Sequence, residues 1–247
     1  MRDLIRYPAS VFFWFELFFI SAILFPFSFV IYLLTFPFDK RLFILHKYSC
    51  IWSFIVLTIN PLWRIRVYGR KKINPDETYV MVSNHQSGAD IIVLFLLWKH
   101  FKWVAKKSLF LYPFIGWNMW LNHYIALERG KGSSMRKMMT AAAKTLKEKN
   151  SVMIFPEGTR SPDGKIQSFK TGAFHLALEN RRPILPIAIS GTSKAIPKGG
   201  LLIDRNYYIR ATVLDPLPYE SFRHLDAKAV AHLVQGVIEE EINKNNK

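Results

Sequence analysis

The sequence predicts an α/β fold: a mixed or mostly parallel sheet flanked by helices, preceded by an N-terminal apolar two-helix membrane-binding segment. Three observations carry that reading. Half of the 247 residues are hydrophobic, but the excess lies at one end: residues 11–38 hold a single formal charge, Glu16, and five of the eight residues 11–18 are Phe or Trp. From Arg64 onward, short apolar runs alternate with helix-period patterns, the mark of strands joined by crossover helices. No internal repeat, low-complexity tract or long linker breaks this alternation, so the expected division is residues 1–63 as a membrane-associated helix pair and 64–247 as one α/β domain.

The N-terminal segment comes first. Residues 17–38 form a stretch of 22 without a charge, long enough to cross a bilayer as a helix. Pro26 falls in its middle and should kink it. Basic residues flank both sides (Arg2 and Arg6, then Lys40 and Arg41), so charge asymmetry gives no orientation. A second apolar run, 48–62, is too short to span comfortably. A pair that dips into one leaflet and returns fits at least as well as a crossing. The expected location is the cytoplasmic face of the cell membrane, anchored by this pair.

In the globular part, strands are expected at 65–68, 79–83, 102–105, 124–127, 152–155, 184–190 and 207–214. Helices are expected at 90–100, 113–122, 134–149, 171–180 and 227–244. The helix at 90–100 is apolar nearly all round, so it must be buried; it is core, or a wall for an apolar ligand. The helix at 134–149 carries a stripe of Met135, Met138, Met139, Ala142 and Leu146 opposite Arg136, Thr140, Lys144 and Lys147, an ordinary solvated face or a landing site for anionic lipid or an acidic carrier protein.

Charge narrows the partners. Up to Trp63 there are five basic and three acidic residues, so +14 of the total +16 belongs to the globular part. Such a domain beside an apolar segment suits an anionic membrane lipid, an anionic substrate or an acidic carrier protein. Nucleic acid is the competing class, but no recognised helix-turn-helix, RRM or zinc signature accompanies the charge, and no nucleic-acid partner is expected. Cys50 is the only cysteine, which excludes an intrachain disulfide and a Cys-based zinc site. The seven histidines show no HExxH pattern, and no metal is expected. No GxSxG elbow is present, which disfavours a serine hydrolase.

Two constellations carry chemistry. Ser83-Asn84-His85-Gln86-Ser87-Gly88-Ala89-Asp90 follows an expected strand, so His85 sits on a loop at a strand end, where α/β sheets place ligands. Histidine titrates near neutral pH and accepts the proton of an attacking alcohol; a carboxylate on its other ring nitrogen would fix the tautomer. Alone the pair is weak, because Asp90 also fits as the N-cap of its helix. The second is Phe155-Pro156-Glu157-Gly158-Thr159-Arg160-Ser161, again directly after a strand. Arg160 offers a bidentate fork for phosphate, and Gly158 lets backbone N–H groups approach an anion. A Pro-Gly turn with a surface Arg explains this stretch equally well in isolation.

Together with Lys106-Lys107-Ser108-Leu109, Pro113 and Gly116, and with Leu185-Pro186-Ile187, these runs resemble, in order, the four blocks of the glycerolipid acyltransferase family. The match covers about residues 80–190. The short chain and apolar N-terminus look most like the bacterial 1-acyl-sn-glycerol-3-phosphate acyltransferases. The resemblance implies His85 and Asp90 as a catalytic dyad, with Glu157, Gly158, Thr159 and Arg160 binding the acceptor phosphate beside Lys106, chosen over Lys107 because it lies nearer the strand end. Leu185-Pro186-Ile187 would be structural or line the acyl site. The second block often closes on Asp-Arg; here it reads Leu127-Glu128-Arg129, and Arg129 carries over as a contact to acceptor or donor.

The implied reaction moves a fatty acyl group from a thioester on acyl carrier protein or coenzyme A, a co-substrate and not a cofactor, to the sn-2 hydroxyl of lysophosphatidic acid. Glycerol 3-phosphate or another lysolipid is an alternative acceptor. From other classes, a non-catalytic, membrane-anchored nucleic-acid binder and a thioester or lipid hydrolase compete.

Overall fold

The computed structural model describes residues 2–128, 130–161, 164–196, 201–203 and 207–245. Seven strands form one sheet: β1 (Trp63–Tyr68), β2 (Val80–Ser83), β3 (Phe101–Lys106), β4 (Ile125–Leu127), β5 (Ser151–Ile154), β6 (Ile184–Ser190) and β7 (Tyr207–Val213), in spatial order β1-β7-β6-β2-β5-β3-β4. Every neighbouring pair is parallel except β6 with β7. The mixed, mostly parallel sheet of the sequence reading is therefore present. All four residues of β2 and of β5 are buried, as central parallel strands require when both faces are covered.

Helices cover both faces. On one side lie α1 (Arg2–Thr35), α2 (Phe43–Ile59), α3 (Ala89–Phe95) and α4 (Ile115–Leu121). Their core joins Phe13, Cys50, Val56, Val93 and Phe95 to Met81, Trp103, Met153, Leu185 and Ile187 of the strands. On the other side lie α5 (Gly132–Lys147), α6 (Gly172–Asn180) and α9 (Ala227–Asn245). They pack Met138, Ala142, Leu146, Phe174 and Val234 on Val80, Val82, Val152 and Ile154. Between these elements, α7 (Thr192–Ala195) and α8 (Tyr219–Phe222) are single turns.

Three elements differ from expectation by more than two residues. First, α1 is helical from Arg2, well before the charge-free run, with Pro8 and Pro26 both inside it. Second, α2 begins at Phe43 because its first turns pack: Leu45, His46, Ser49 and Cys50 are buried. Third, the helix expected over 90–100 stops at Phe95, and its apolar continuation is a turn. Trp98 adopts φ 58°, and the Lys99 ammonium donates to the carbonyls of Asn74, Pro75 and Glu77, which directs the chain into β3.

The N-terminal pair thus contributes to the main core while leaving a wide apolar face open. Residues 6–35 are long and apolar enough to cross a membrane, and only 17% of their most apolar window is buried. Val11, Phe15, Phe18, Phe27, Leu33, Leu34 and Phe38 are all exposed. An uncovered apolar surface this rich in aromatics suits membrane association. The one acidic residue of that segment, Glu16, turns inward and is only 6% exposed, lining a groove between α1 and α2 with Phe12, Phe19, Ile55 and Ile59.

Candidate active site

Register brings the site together. β2 and β5 are neighbours with Val82 opposite Ile154, so His85 and Glu157 each stand three residues past the same register pair. Two loops seventy positions apart in sequence therefore emerge side by side at one sheet end. They are stitched to each other: the Glu157 Oε1 accepts the His85 N–H at 2.7 Å, and the His85 carbonyl accepts the Ser161 N–H at 2.8 Å. Gln86 Nε2 adds a bond to the Gly164 carbonyl at 2.8 Å.

Inside the first loop, His85 Nδ1 lies 2.8 Å from Asp90 Oδ2. The same oxygen accepts the backbone N–H groups of Gln86 and Ser87 at 2.7 and 2.8 Å. A carboxylate can only accept, so Nδ1 carries the ring proton and Nε2 presents its lone pair. Asp90 is fully buried and His85 is 7% exposed. Phe155 stacks on the imidazole, with ring centroids 3.9 Å apart and 11° between the planes, and Trp103 stacks behind Phe155. The ring is thus held from its face and from one nitrogen.

Asp90 does not cap its helix, contrary to expectation. Asp90 is the second residue of α3, its carboxylate folds back onto residues 85–87, and the Ser87 Oγ accepts the Ala89 N–H at the helix start. Ser87 Oγ also donates to the Ile196 carbonyl, while Asn84 bonds both the N–H and the C=O of Ile189 on β6. The histidine loop is therefore tied to strands on both sides.

In the second loop Gly158 takes φ 72°, a left-handed turn that favours glycine. Among the described residues, the N–H groups of Thr159 and Arg160 have no acceptor, which leaves two open donors in the turn. The Arg160 guanidinium reaches across to the other loop: one of its nitrogens is 4.0 Å from the position a Cβ would take on Gly88. Glu157 is 2% exposed, and its second oxygen accepts the Gln167 N–H at 3.1 Å. Burial pushes its carboxyl up to about 7. Both of its oxygens face backbone donors, so Glu157 braces the cleft from below; the open donors belong to Thr159 and Arg160.

The remaining candidates lie as follows. Lys106 is exposed at the C-terminal end of β3, paired with Leu127, and continuing the β3–β5 register sets it level with Pro156. Strand alternation puts it on the face of Val104, opposite to the one His85 follows. Gly116 allows α4 to close on the turn after β3: a Cβ there would meet the Phe110 backbone at 2.5 Å. Leu185 and Ile187 are fully buried in β6, and the Pro186 carbonyl accepts the Leu214 N–H. Arg129 lies outside the described residues; its neighbour Glu128 pairs with Lys131 at 2.5 Å and Lys107 at 3.7 Å. One cation of the second loop went unnoticed in the sequence reading: the ammonium of Lys170 lies against Gly158.

A buried histidine–carboxylate pair and a glycine turn with two open amides thus meet at one end of a mostly parallel sheet. The acyltransferase family model matches residues 64–190, half of the chain, and the chain belongs to that family. It is 36% identical over 173 residues to the chloroplastic 1-acyl-sn-glycerol-3-phosphate acyltransferase of Arabidopsis thaliana, covering 70% of this chain and 48% of that protein. Against the 1-acyl-sn-glycerol-3-phosphate acyltransferase of Chlamydomonas reinhardtii it is 36% identical over 184 residues, covering 74% and 55%. The chain therefore spans about half the length of these relatives. The crystal structure of the 1-acyl-sn-glycerophosphate acyltransferase of Thermotoga maritima superposes with a TM-score of 0.81 over 100% of this chain and 98% of that one, at 24% identity, which establishes the shared fold.

Proposed function

We propose that the protein transfers a fatty acyl group from an acyl thioester to the sn-2 hydroxyl of lysophosphatidic acid, giving phosphatidic acid, at the cytoplasmic face of the cell membrane. The observation that carries this is the joining of the two loops: the His85–Asp90 dyad and the Arg160 turn are tied by two short hydrogen bonds at one end of the sheet. The names of the relatives point to the same acceptor.

In this reading the phosphate binds Arg160 and the open amides of Thr159 and Arg160, with Lys106 at the rim, and Arg129 as a further contact to acceptor or donor. His85 Nε2 removes the proton of the sn-2 hydroxyl as its oxygen attacks the thioester carbonyl. Asp90 stabilises the resulting imidazolium through Nδ1. The C–S bond then breaks, and protonated His85 returns its proton to the leaving thiol of acyl carrier protein or coenzyme A. The exposed apolar face of α1 and α2 keeps the cleft at the lipid surface that supplies the acceptor and takes the product.

Purified protein in lipid vesicles, given a labelled acyl thioester and a panel of acceptors, tests this directly. Phosphatidic acid should be the main product from lysophosphatidic acid, and His85→Ala should abolish its formation while the protein stays folded and vesicle-bound. Transfer persisting near the wild-type rate in His85→Ala would remove the base assignment. A preference for glycerol 3-phosphate or another lysolipid would move the acceptor.

A further inference from the structure

The segment after the phosphate turn is stapled along it. Gln167 N–H donates to Glu157 Oε2 at 3.1 Å, Gln167 Nε2 to the Arg160 carbonyl at 3.4 Å, and Lys170 N–H to the Pro156 carbonyl at 2.9 Å. Between these bonds Phe169 is buried against Phe174, and its N–H donates to Gln235 Oε1 on α9. Four hydrogen bonds and one buried ring thus fix the backbone at Lys170, two residues ahead of α6.

The consequence is where the Lys170 side chain goes. A Cβ built on Gly158 would stand 2.9 Å from the Lys170 ammonium and 3.3 and 3.4 Å from the last two carbons of its stem. The lysine lies along the glycine, with its charge at the turn that leaves two amides open. Lys170 is exposed, yet its ammonium rests against the turn's backbone instead of extending away from it. Among the described residues no carboxylate pairs with Lys170 or with the Arg160 guanidinium, and Glu157, the acidic residue within the turn, is turned away and bonded to backbone N–H groups. The Lys170 ammonium stands at Gly158 and the Arg160 guanidinium beside Gly88, so like charges and two open amides line the two loops, an arrangement that favours an anion.

We propose that Lys170 is a further acceptor-binding residue, which with Arg160 clamps the phosphate head and selects a dianionic phosphomonoester over a monoanionic phosphodiester. This rests on the acyltransferase reading above. Arg160 supplies the directional fork beside Gly88 and Lys170 a point charge at Gly158. A phosphomonoester offers three terminal oxygens and nearly two charges near neutral pH, enough to engage both cations and the amides together. A phosphodiester offers two free oxygens and one charge, and leaves part of the clamp without a partner.

The test uses full-length protein in vesicles. Lys170→Ala should raise the KM for lysophosphatidic acid about tenfold to a hundredfold, the worth of one charge-assisted hydrogen bond, with kcat and the KM of the acyl thioester within about threefold of wild type. Lys170→Arg should recover most of the loss. Inorganic phosphate should compete with the acceptor in the wild type, and its inhibition constant should rise in parallel in Lys170→Ala. A KM and a phosphate inhibition constant both within twofold of wild type would overturn the assignment, as would a KM that rises equally for donor and acceptor. Should Lys170→Ala fail to fold, Lys170→Gln, which keeps the stem and loses the charge, is read in the same way. If the wild type acylates no lysophosphatidic acid, the proposed function is what fails. The clamp is then judged by whether inorganic phosphate raises the thermal midpoint of the wild type and not of the Lys170 variant.

Discussion

Replacing Asp90 by Asn isolates the contact on which the chemistry turns. Asp90 Oδ2 accepts three donors at 2.7–2.8 Å, two from backbone amides and one from His85 Nδ1. An amide oxygen can retain the two backbone bonds, so the loop should keep its shape at a cost of about 1–2 kcal/mol in stability. What Asn cannot supply is the negative charge facing the imidazolium that forms as the acceptor hydroxyl is deprotonated. Opposite charges about 4 Å apart at an effective dielectric of about 20 attract by about 4 kcal/mol, which corresponds to a loss of about three orders of magnitude in rate. Single-turnover acyl transfer in vesicles measures this, with circular dichroism to show that the fold survives. The His85→Ala variant provides the internal control: if Asp90 acts through the imidazole, adding Asp90→Asn to His85→Ala should not lower the residual rate further. A folded Asp90→Asn protein with kcat within threefold of wild type would refute the reasoning.

Further outcomes follow from buried charge and close packing. Burial holds the Lys102 ammonium, which donates to the Asn122 carbonyl, down at about 7 from its usual 10.5, so the unfolded chain binds that proton more tightly and stability should climb between pH 7 and 10.5. Lys102→Met should flatten the climb, as read from urea midpoints at pH 7 and 10. His100 is pushed down to about 3 from 6.5, first by burial and then by the Lys102 charge; stability should fall on acidification from pH 6.5 to 3, and His100→Gln should remove part of that fall. At Gly191, with φ 87°, a Cβ would lie 2.2 Å from the Tyr208 carbonyl oxygen, so Gly191→Ala should cost about 2–4 kcal/mol in chemical denaturation. Deleting residues 1–62 should leave an aggregating remainder by size-exclusion chromatography, because Phe13, Leu17, Cys50, Val56 and Leu57 belong to the core around Met81 and Trp103.

The sequence by itself determined the class of fold, the position of all seven strands to within two residues, the apolar lipid-seeking end, and the two loops that hold His85 and Arg160. These are local properties: period, turn chemistry and side-chain type at a strand end survive in one dimension. Tertiary structure decided the rest, because it depends on which distant backbone groups become neighbours. The pairing of β2 with β5 sets the two loops side by side, and nothing in residues 80–83 or 151–154 names its partner. Asp90 satisfies the rule for a helix cap, yet its oxygen meets three donors of the preceding loop, and that loop's path is fixed from β6 through Asn84. Glu157 reads as a charged ligand of the substrate until its oxygens are found on the amides of His85 and Gln167. Lys170 lies twelve residues beyond Gly158 in an unremarkable polar stretch. Only the hydrogen bonds that fold that stretch back along the turn carry its charge to Gly158, and a lysine's reach is set by where its backbone is held.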